Sequence, residues 1–184
     1  MTFAKMKTLA LLFASSSLIY ADLTKEQILE FEKRANANVA LAKPLQLFTK
    51  GFEFKAKAKT LYAKDPKFKN TFEMTMYQKV IDKDTLYSSY AFPGYDVPFR
   101  VVVKYDSKKG LYKKFMVTPD LKLRKLRGVS IPNTRSVHWS MITPKETTVN
   151  IESYFDDKFI AKEAFLDEDG GVKMVVEFTA NKSK

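Results

Sequence analysis

RVVVKYDSKKGLYKKFMV, residues 100–117, contains two segments rich in apolar side chains on either side of the polar stretch 106–110. Both segments are rich in β-branched or aromatic residues, which favour strands. The connection between them is short and ends on Gly110, which is typical of a hairpin turn. This stretch therefore predicts two neighbouring antiparallel strands.

The same pattern of strands and turns extends through most of the chain. In FEFKAKAK, residues 52–59, apolar and charged side chains alternate, as they do in a strand with one buried face and one hydrated face. Turn-forming pairs such as Asp65-Pro66 and Pro132-Asn133 separate the later segments. We predict about ten strands between residues 51 and 179, without helical crossovers, so that neighbours in sequence pair antiparallel.

A sheet of this length must deal with two exposed edge strands. Closure into a barrel removes both edges, so the pattern predicts an all-β fold in which an up-and-down meander closes into a barrel. An open, strongly curved half-barrel is the alternative.

One amphipathic helix is predicted before the strands, over residues 25–41. Thr24 and Gln27 have the spacing of a capping box, and Pro44 marks the end of the segment. The apolar residues at helical spacing are Ile28, Phe31, Ala35 and Val39. We expect this helix to pack on the sheet, and closure of the barrel mouth is the alternative role.

The first 21 residues have the composition of a signal peptide. Lys5 and Lys7 precede an apolar segment at 9–13, and Ala21 is a suitable residue before a cleavage site. The apolar stretch is shorter than the roughly 20 residues that a membrane-spanning helix needs. We therefore predict a secreted or periplasmic protein whose single domain covers residues 22–184, with a retained N-terminal anchor as the alternative.

The composition excludes several classes of chemistry. The chain has 184 residues, 45% of them hydrophobic, with no cysteine and one histidine. Disulfides, thiolate nucleophiles and cysteine-ligated metals are therefore excluded, as is any site that needs two histidines. There is also no Gly-x-Ser-x-Gly nucleophile motif. We predict that the protein is not an enzyme and has no catalytic residues, metal site or cofactor.

His138 is the one residue that could serve as an axial haem ligand. It directly precedes Trp139 in a predicted strand, so the two side chains face opposite sides of the sheet. We interpret His138 as an ordinary surface or hydrogen-bonded histidine.

Aromatic, methionine and arginine side chains recur at alternating strand positions, where they either fill a barrel or line a pocket. Arg100 and Arg124 either point outwards or lie at the mouth of a cavity, where they would meet a carboxylate or phosphate. The candidate ligand-binding residues are Phe54, Met74, Met76, Tyr90, Phe92, Arg100, Phe115, Arg124, Trp139 and Tyr154.

The formal net charge of +11 is distributed unevenly along the chain. Residues 50–69 and 104–127 are strongly basic, whereas the C-terminal third is mildly acidic. These segments form either a hydrated outer face with protective edge lysines or a surface that attracts anionic lipid or an envelope polymer. We do not expect nucleic acid to be a partner.

Several short motifs recur in the strand region, namely Gly94-Tyr95-Asp96, Lys104-Tyr105-Asp106, Trp139, Asp169-Gly170 and Lys173-Met174. With these motifs the chain resembles the lipocalin-like, or calycin, barrels, in particular uncharacterised exported bacterial families. The Gly-x-Trp signature of true lipocalins is absent, since Phe52 and Glu53 follow Gly51. The resemblance therefore implies barrel architecture and small-ligand binding in general, but no particular ligand.

These observations together predict non-covalent binding or carriage of a small apolar or amphipathic ligand in the barrel. Two alternatives remain open at this point. One is an open half-barrel that carries lipids or lipoproteins in the periplasm. The other is a module without a small ligand that docks its basic face on an anionic envelope surface.

Overall fold

A computed structural model describes residues 22–48, 53–66, 70–91 and 95–182, with only the backbone described for Glu53, Phe54 and Lys182. The predicted signal peptide lies outside the described residues. No described helix is long and apolar enough to cross a membrane.

Ten antiparallel strands close into one barrel, in the order β1-β10-β9-β8-β7-β6-β5-β4-β3-β2. Every strand pairs with its sequence neighbours, and the first and last strands pair from Phe54↔Lys182 to Ala63↔Met174. This pairing confirms the predicted all-β up-and-down barrel, and the open half-barrel is wrong. The strands are β1 Glu53–Ala63, β2 Thr71–Asp82, β3 Thr85–Ala91, β4 Phe99–Asp106, β5 Leu111–Val117, β6 Leu123–Ser130, β7 Ser136–Ile142, β8 Thr147–Tyr154, β9 Lys158–Leu166 and β10 Val172–Lys182.

The helix before the barrel, α1, covers Lys25–Lys33 and begins with the predicted capping box. The Gln27 backbone N–H donates to Thr24 Oγ1 at 3.3 Å, and the Thr24 N–H donates to Gln27 Oε1 at 2.9 Å. These bonds satisfy two backbone donors that a helix N-terminus otherwise leaves unpaired.

The helix ends at Lys33 and not at residue 41 as predicted, because the following residues bond to the barrel instead. The Ala37 N–H donates to the Val80 carbonyl at 2.7 Å, and Asn36 Oδ1 accepts from the Val80 N–H at 2.8 Å. Such a pairing competes with the helical hydrogen bonds that continuation would require. Only the tertiary structure places Val80 within reach of this segment.

The helix packs on the outside of the barrel. Ile28 and Phe31 are buried against Val102, Phe115 and Val117, which form part of a second apolar cluster on the outer face of β4 and β5. This contact confirms the expected packing role of the helix.

A different segment closes one end of the barrel. A 3-10 helix, Lys43–Leu47, leads into Phe48, whose ring lies 4.9 Å from Tyr154 and 5.3 Å from Tyr112, edge-on to both. The Tyr112 hydroxyl donates to the Pro44 carbonyl at 3.0 Å. We call this the closed end.

The opposite end, called the mouth here, is less tightly packed. Several inward-facing side chains at this end are half-buried, namely Met116, Arg124, Met141 and Phe165, while their neighbours Val101 and Thr148 are buried. The largest buried side chains, among them Phe48 and Trp139, therefore lie towards the closed end.

Candidate functional site

Most of the predicted lining residues face the barrel interior. Met74, Met76, Trp139 and Tyr154 are buried in the main apolar cluster, and Tyr90 is half-buried against it. Burial raises the pKa of the Tyr154 and Tyr90 hydroxyls, and the nearby carboxylate of Glu152 adds to both shifts.

Two of the predicted lining residues, Arg100 and Phe115, lie on the outer face of the barrel, so their assignment to the cavity is wrong. The Arg100 Nε donates to Glu32 Oε2 of the helix at 2.7 Å. Phe115 is buried beneath the same helix. The helix gives β4 and β5 two buried faces, so alternation alone could not identify which face points inward.

Phe92 lies outside the described residues, as does the side chain of Phe54. His138 is exposed on the outer face of β7, on the opposite side from Trp139. Across residues 22–48, 53–66, 70–91 and 95–182, no group of three or more metal-ligating side chains could hold an ion.

The interior contains a buried ion pair that the sequence analysis did not identify. Lys114 of β5 and Glu152 of β8 are only 7% and 5% exposed, and the Lys114 ammonium pairs with Glu152 Oε1. The same ammonium lies 4.1 Å from the centroid of the Trp139 ring. A buried ion pair offsets the loss of hydration only when further hydrogen bonds complete it.

Glu152 receives those further hydrogen bonds from three neutral donors. Trp139 Nε1 and the Tyr154 hydroxyl donate to Oε2 at 2.6 and 2.5 Å, and Asn150 Nδ2 donates to Oε1 at 3.2 Å. The carboxylate is therefore held in one orientation by side chains from β5, β7 and β8.

A second carboxylate, Glu163 of β9, faces the interior beside this network. It is the cross-strand partner of Asn150 and is half-buried. Burial raises the pKa of Glu163 to about 7, and the Glu152 carboxylate also raises it, while the Lys114 ammonium opposes the shift. The Glu163 carboxylate makes no hydrogen bond or ion pair with any other described side chain.

Arg124 lies on the interior side at the mouth, as predicted. Its Nη1 is 3.2 Å from Glu146 Oε1, and Glu146 also accepts a hydrogen bond from the buried Thr148 hydroxyl at 3.2 Å. The Arg124 charge is close enough to favour the ionised form of Glu163. Arg124 already has a carboxylate partner, which weakens its predicted role as the receptor for an anionic ligand.

A small cavity is lined by Met76, Gln78, Tyr90, Tyr154 and Phe159. The volume that the centre of a water molecule can occupy in it is about 10 Å³. This space corresponds to roughly one water molecule. Two buried acceptors in the interior, Gln78 Oε1 and Asn150 Oδ1, have no hydrogen-bond partner among the described residues.

The signal for the polar network was present in β8. Residues 148, 150, 152 and 154 share one face, and the apolar Val149 and Ile151 occupy the other. The polar face is buried and Ile151 is 48% exposed, which inverts the usual arrangement of a barrel strand. The polar face of an antiparallel strand is usually the hydrated one, so the alternation in β8 alone does not reveal a buried polar network.

The basic segments turn out to be distributed over both faces of the barrel. Lys114 and Arg124 of the 104–127 segment point inward, where each has a carboxylate partner. On the outer face of β1, Lys57 and Lys59 lie opposite Glu73 and Glu177 in the neighbouring strands. These acids interrupt the basic stripe that the sequence suggested.

No family model matches the sequence, and no curated protein matches it either. The fold is similar to that of a protein of unknown function from the DUF3598 family of Nostoc punctiforme, with a TM-score of 0.54 and 11% identity. That match covers 79% of this chain and 51% of the other, so this chain spans about half the length of that protein. The fold is also similar to that of Rv2717c from M. tuberculosis, with a TM-score of 0.53, 12% identity and coverage of 78% and 99%. These similarities concern the barrel fold alone.

Proposed function

We propose that the protein binds a small amphipathic molecule non-covalently through the mouth of its barrel. The observation that carries this proposal is the contrast between the two barrel ends. At the closed end, Phe48 is buried against its aromatic neighbours. At the mouth, Met116, Met141 and Phe165 face inward and remain partly exposed to water.

The apolar part of a ligand would be bound at the mouth. Burial of apolar surface contributes roughly 25 cal/mol per Å², before the cost of association is subtracted. Methionine side chains adapt their shape to irregular partners, and Met116 and Met141 supply two of them here. The water-sized cavity admits only a small polar group, so the larger apolar part of the ligand remains near the mouth.

The buried charges favour a binding role over a purely structural one. A barrel of this size can be filled with apolar side chains alone, and burying ionisable groups costs free energy unless they are paired. Lys114, Glu152 and Glu163 are nevertheless grouped in one region of the interior, and Glu163 has a strongly raised pKa. Strongly perturbed pKa values are concentrated at functional sites, which supports a binding role for this region.

We also propose that the protein is exported, because of the charged and apolar segments within residues 1–21. Binding without covalent chemistry remains our interpretation of the site. Docking of the outer face on an anionic surface is less well supported, since acidic residues lie opposite Lys57 and Lys59.

Native mass spectrometry of the chain as produced by a bacterial host tests the proposal. We expect an added mass that is present under native conditions and lost on denaturation, or uptake of a ten-carbon amphiphile on titration. A protein that carries no added mass and takes up none of decylamine, decanol or decanoate would overturn the proposal.

A matched pair of variants locates the site. Met141 faces inward at the mouth, and its neighbour Ile142 is 81% exposed on the outside. Met141→Asp should weaken uptake of the ligand, because it places a charge against the bound apolar surface. Ile142→Asp should leave uptake unchanged, and equal effects of the two variants would contradict binding at the mouth.

A further inference from the structure

Among the described side chains that face the barrel interior, the carboxylates of Glu146, Glu152 and Glu163 outnumber the cations of Lys114 and Arg124. Lys114 is paired with Glu152, and Arg124 is paired with Glu146. Glu163 is the remaining carboxylate, and no cation among the described residues forms an ion pair with it. A guest with a positive charge would balance this third carboxylate.

The same region has a surplus of hydrogen-bond acceptors. The Trp139, Asn150 and Tyr154 donors are all directed to Glu152. Asn150 Oδ1 and Gln78 Oε1 are buried and accept no hydrogen bond from any residue that the structure describes. Both lie next to the network, since Asn150 bonds to Glu152 and Gln78 lines the small cavity together with Tyr154.

We infer that the polar group of the ligand is an ammonium, received by the Glu163 carboxylate and the free amide oxygens of Asn150 and Gln78. This inference rests on the proposed ligand-binding function and defines the chemical class of its ligand as a small amphipathic amine. An ammonium carries three donors and no acceptor, which matches a site where acceptors are in surplus.

The size and the walls of the cavity agree with this assignment. The space beside Tyr90 and Tyr154 holds roughly one water molecule, and an ammonium group is of similar size. Aromatic rings also attract a cation placed over their faces. A carboxylate headgroup would instead meet Glu163, and the Lys114 and Arg124 cations are already paired.

Three probes of equal chain length test the inference: decylamine, decanol and decanoate, titrated by calorimetry below the micelle concentrations of the two ionic probes and the solubility limit of decanol. At about pH 8 the amine is charged, and Glu163, with its pKa of about 7, is largely ionised. A charge-assisted hydrogen bond contributes enough that we expect the amine to bind about tenfold more tightly than the alcohol. Decanoate should bind most weakly.

Glu163→Gln should remove most of the preference for the amine while leaving binding of decanol little changed. Glu177→Gln is the matched control, because Glu177 lies on the neighbouring strand but pairs with Lys162 on the outer face. The control should retain the full preference for the amine, as an outward charge does not contact the ligand.

Each outcome separates this inference from the function on which it rests. If decanol or decanoate binds as tightly as decylamine, the ammonium assignment is overturned, while binding at the mouth stands. An unchanged amine preference in Glu163→Gln overturns the role of Glu163. If none of the three probes binds, the proposed function fails and the inference fails with it.

Discussion

The indole of Trp139 lies against the backbone of Gly128, its partner across β6 and β7. A Cβ atom added to Gly128 would come within 2.5 Å of the indole Cε3. The glycine therefore provides the space in which the buried indole sits. Because Trp139 Nε1 donates to Glu152, this space also helps to position the buried carboxylate.

We expect Gly128→Ala to destabilise the protein by about 1–3 kcal/mol, since the methyl group forces the indole to move in a packed interior. Urea unfolding followed by fluorescence measures this change, and Trp139 is the only tryptophan in the chain. The native emission should also shift as the ring leaves Glu152. Val129→Ala, at a 43% exposed neighbour, is the control and should change stability little. Equal stability of both variants would show that the indole has room to move.

The effects of substituting Lys114 and Glu152 on the free energy of unfolding should be strongly coupled. Lys114→Met leaves the Glu152 carboxylate buried without its cation, which typically costs about 3–5 kcal/mol. In the double variant Lys114→Met, Glu152→Gln, the free energy of unfolding should fall by less than the sum of its decreases in the two single variants. The reason is that neither charge is then left unpaired. Chemical denaturation of the four proteins gives the coupling free energy.

Lys162→Met is the matched control for this cycle. Lys162 pairs with Glu177 at 3.2 Å on the outer face, where its side chain is 62% exposed. An exposed pair of this kind contributes about 0–1 kcal/mol. If Lys114→Met lowers the free energy of unfolding no more than Lys162→Met does, the importance of the buried pair for stability is contradicted.

Glu163 should make the protein less stable as the pH rises from about 4.5 to about 7. Its pKa is about 7 in the folded chain against an ordinary 4.5, so the folded state keeps a proton that the unfolded state has released. The free energy of unfolding therefore falls through this window and levels off above it.

Glu163→Gln should remove this contribution, so its stability should depend less on pH between about 4.5 and 7. Thermal unfolding at several pH values measures the difference between the variant and the natural chain. Glu177→Gln, on the outer face, should show the same dependence of stability on pH as the natural chain. Parallel pH curves for the natural chain and Glu163→Gln would contradict the raised pKa.

Phe48 should be a major contributor to stability although it lies before the first strand. It is 2% exposed and packs against Tyr112, Trp139 and Tyr154 at the closed end. Phe48→Ala should cost about 3–5 kcal/mol, the usual range for a buried aromatic side chain. Val39→Ala, in the same connecting segment but 50% exposed, should cost little in the same denaturation experiment. If Phe48→Ala and Val39→Ala lower the free energy of unfolding by similar amounts, Phe48 does not close the end of the barrel.

Export predicts a shorter chain in the periplasm or medium. The intact mass of the secreted protein should correspond to residues 22–184, with cleavage after Ala21. Replacing both Lys5 and Lys7 by glutamate should slow export, because the positive charge ahead of the apolar segment is lost. Full-length protein found only in the cytoplasm would contradict the prediction.

Period-two patterning and short turns identified the barrel strands closely, because each strand carries its own signal over a few residues. The pattern also placed Trp139, Tyr154 and Met76 inside the barrel. It failed for Arg100 and Phe115, because the helix covers the outer face of the sheet there. Arg100 pairs with Glu32 of the helix, and Phe115 is buried beneath the helix.

The sequence by itself determined the ten strands, their antiparallel order and the start of the helix, since these depend on side-chain alternation, turn residues and capping over short distances. Only the tertiary structure decided where the helix ends and which faces of β4, β5 and β8 point inward. Only it brought Lys114 to Glu152 and placed Glu163 beside that pair. Those relationships join residues far apart in the chain, and a buried charge is stable only where distant strands supply its partners.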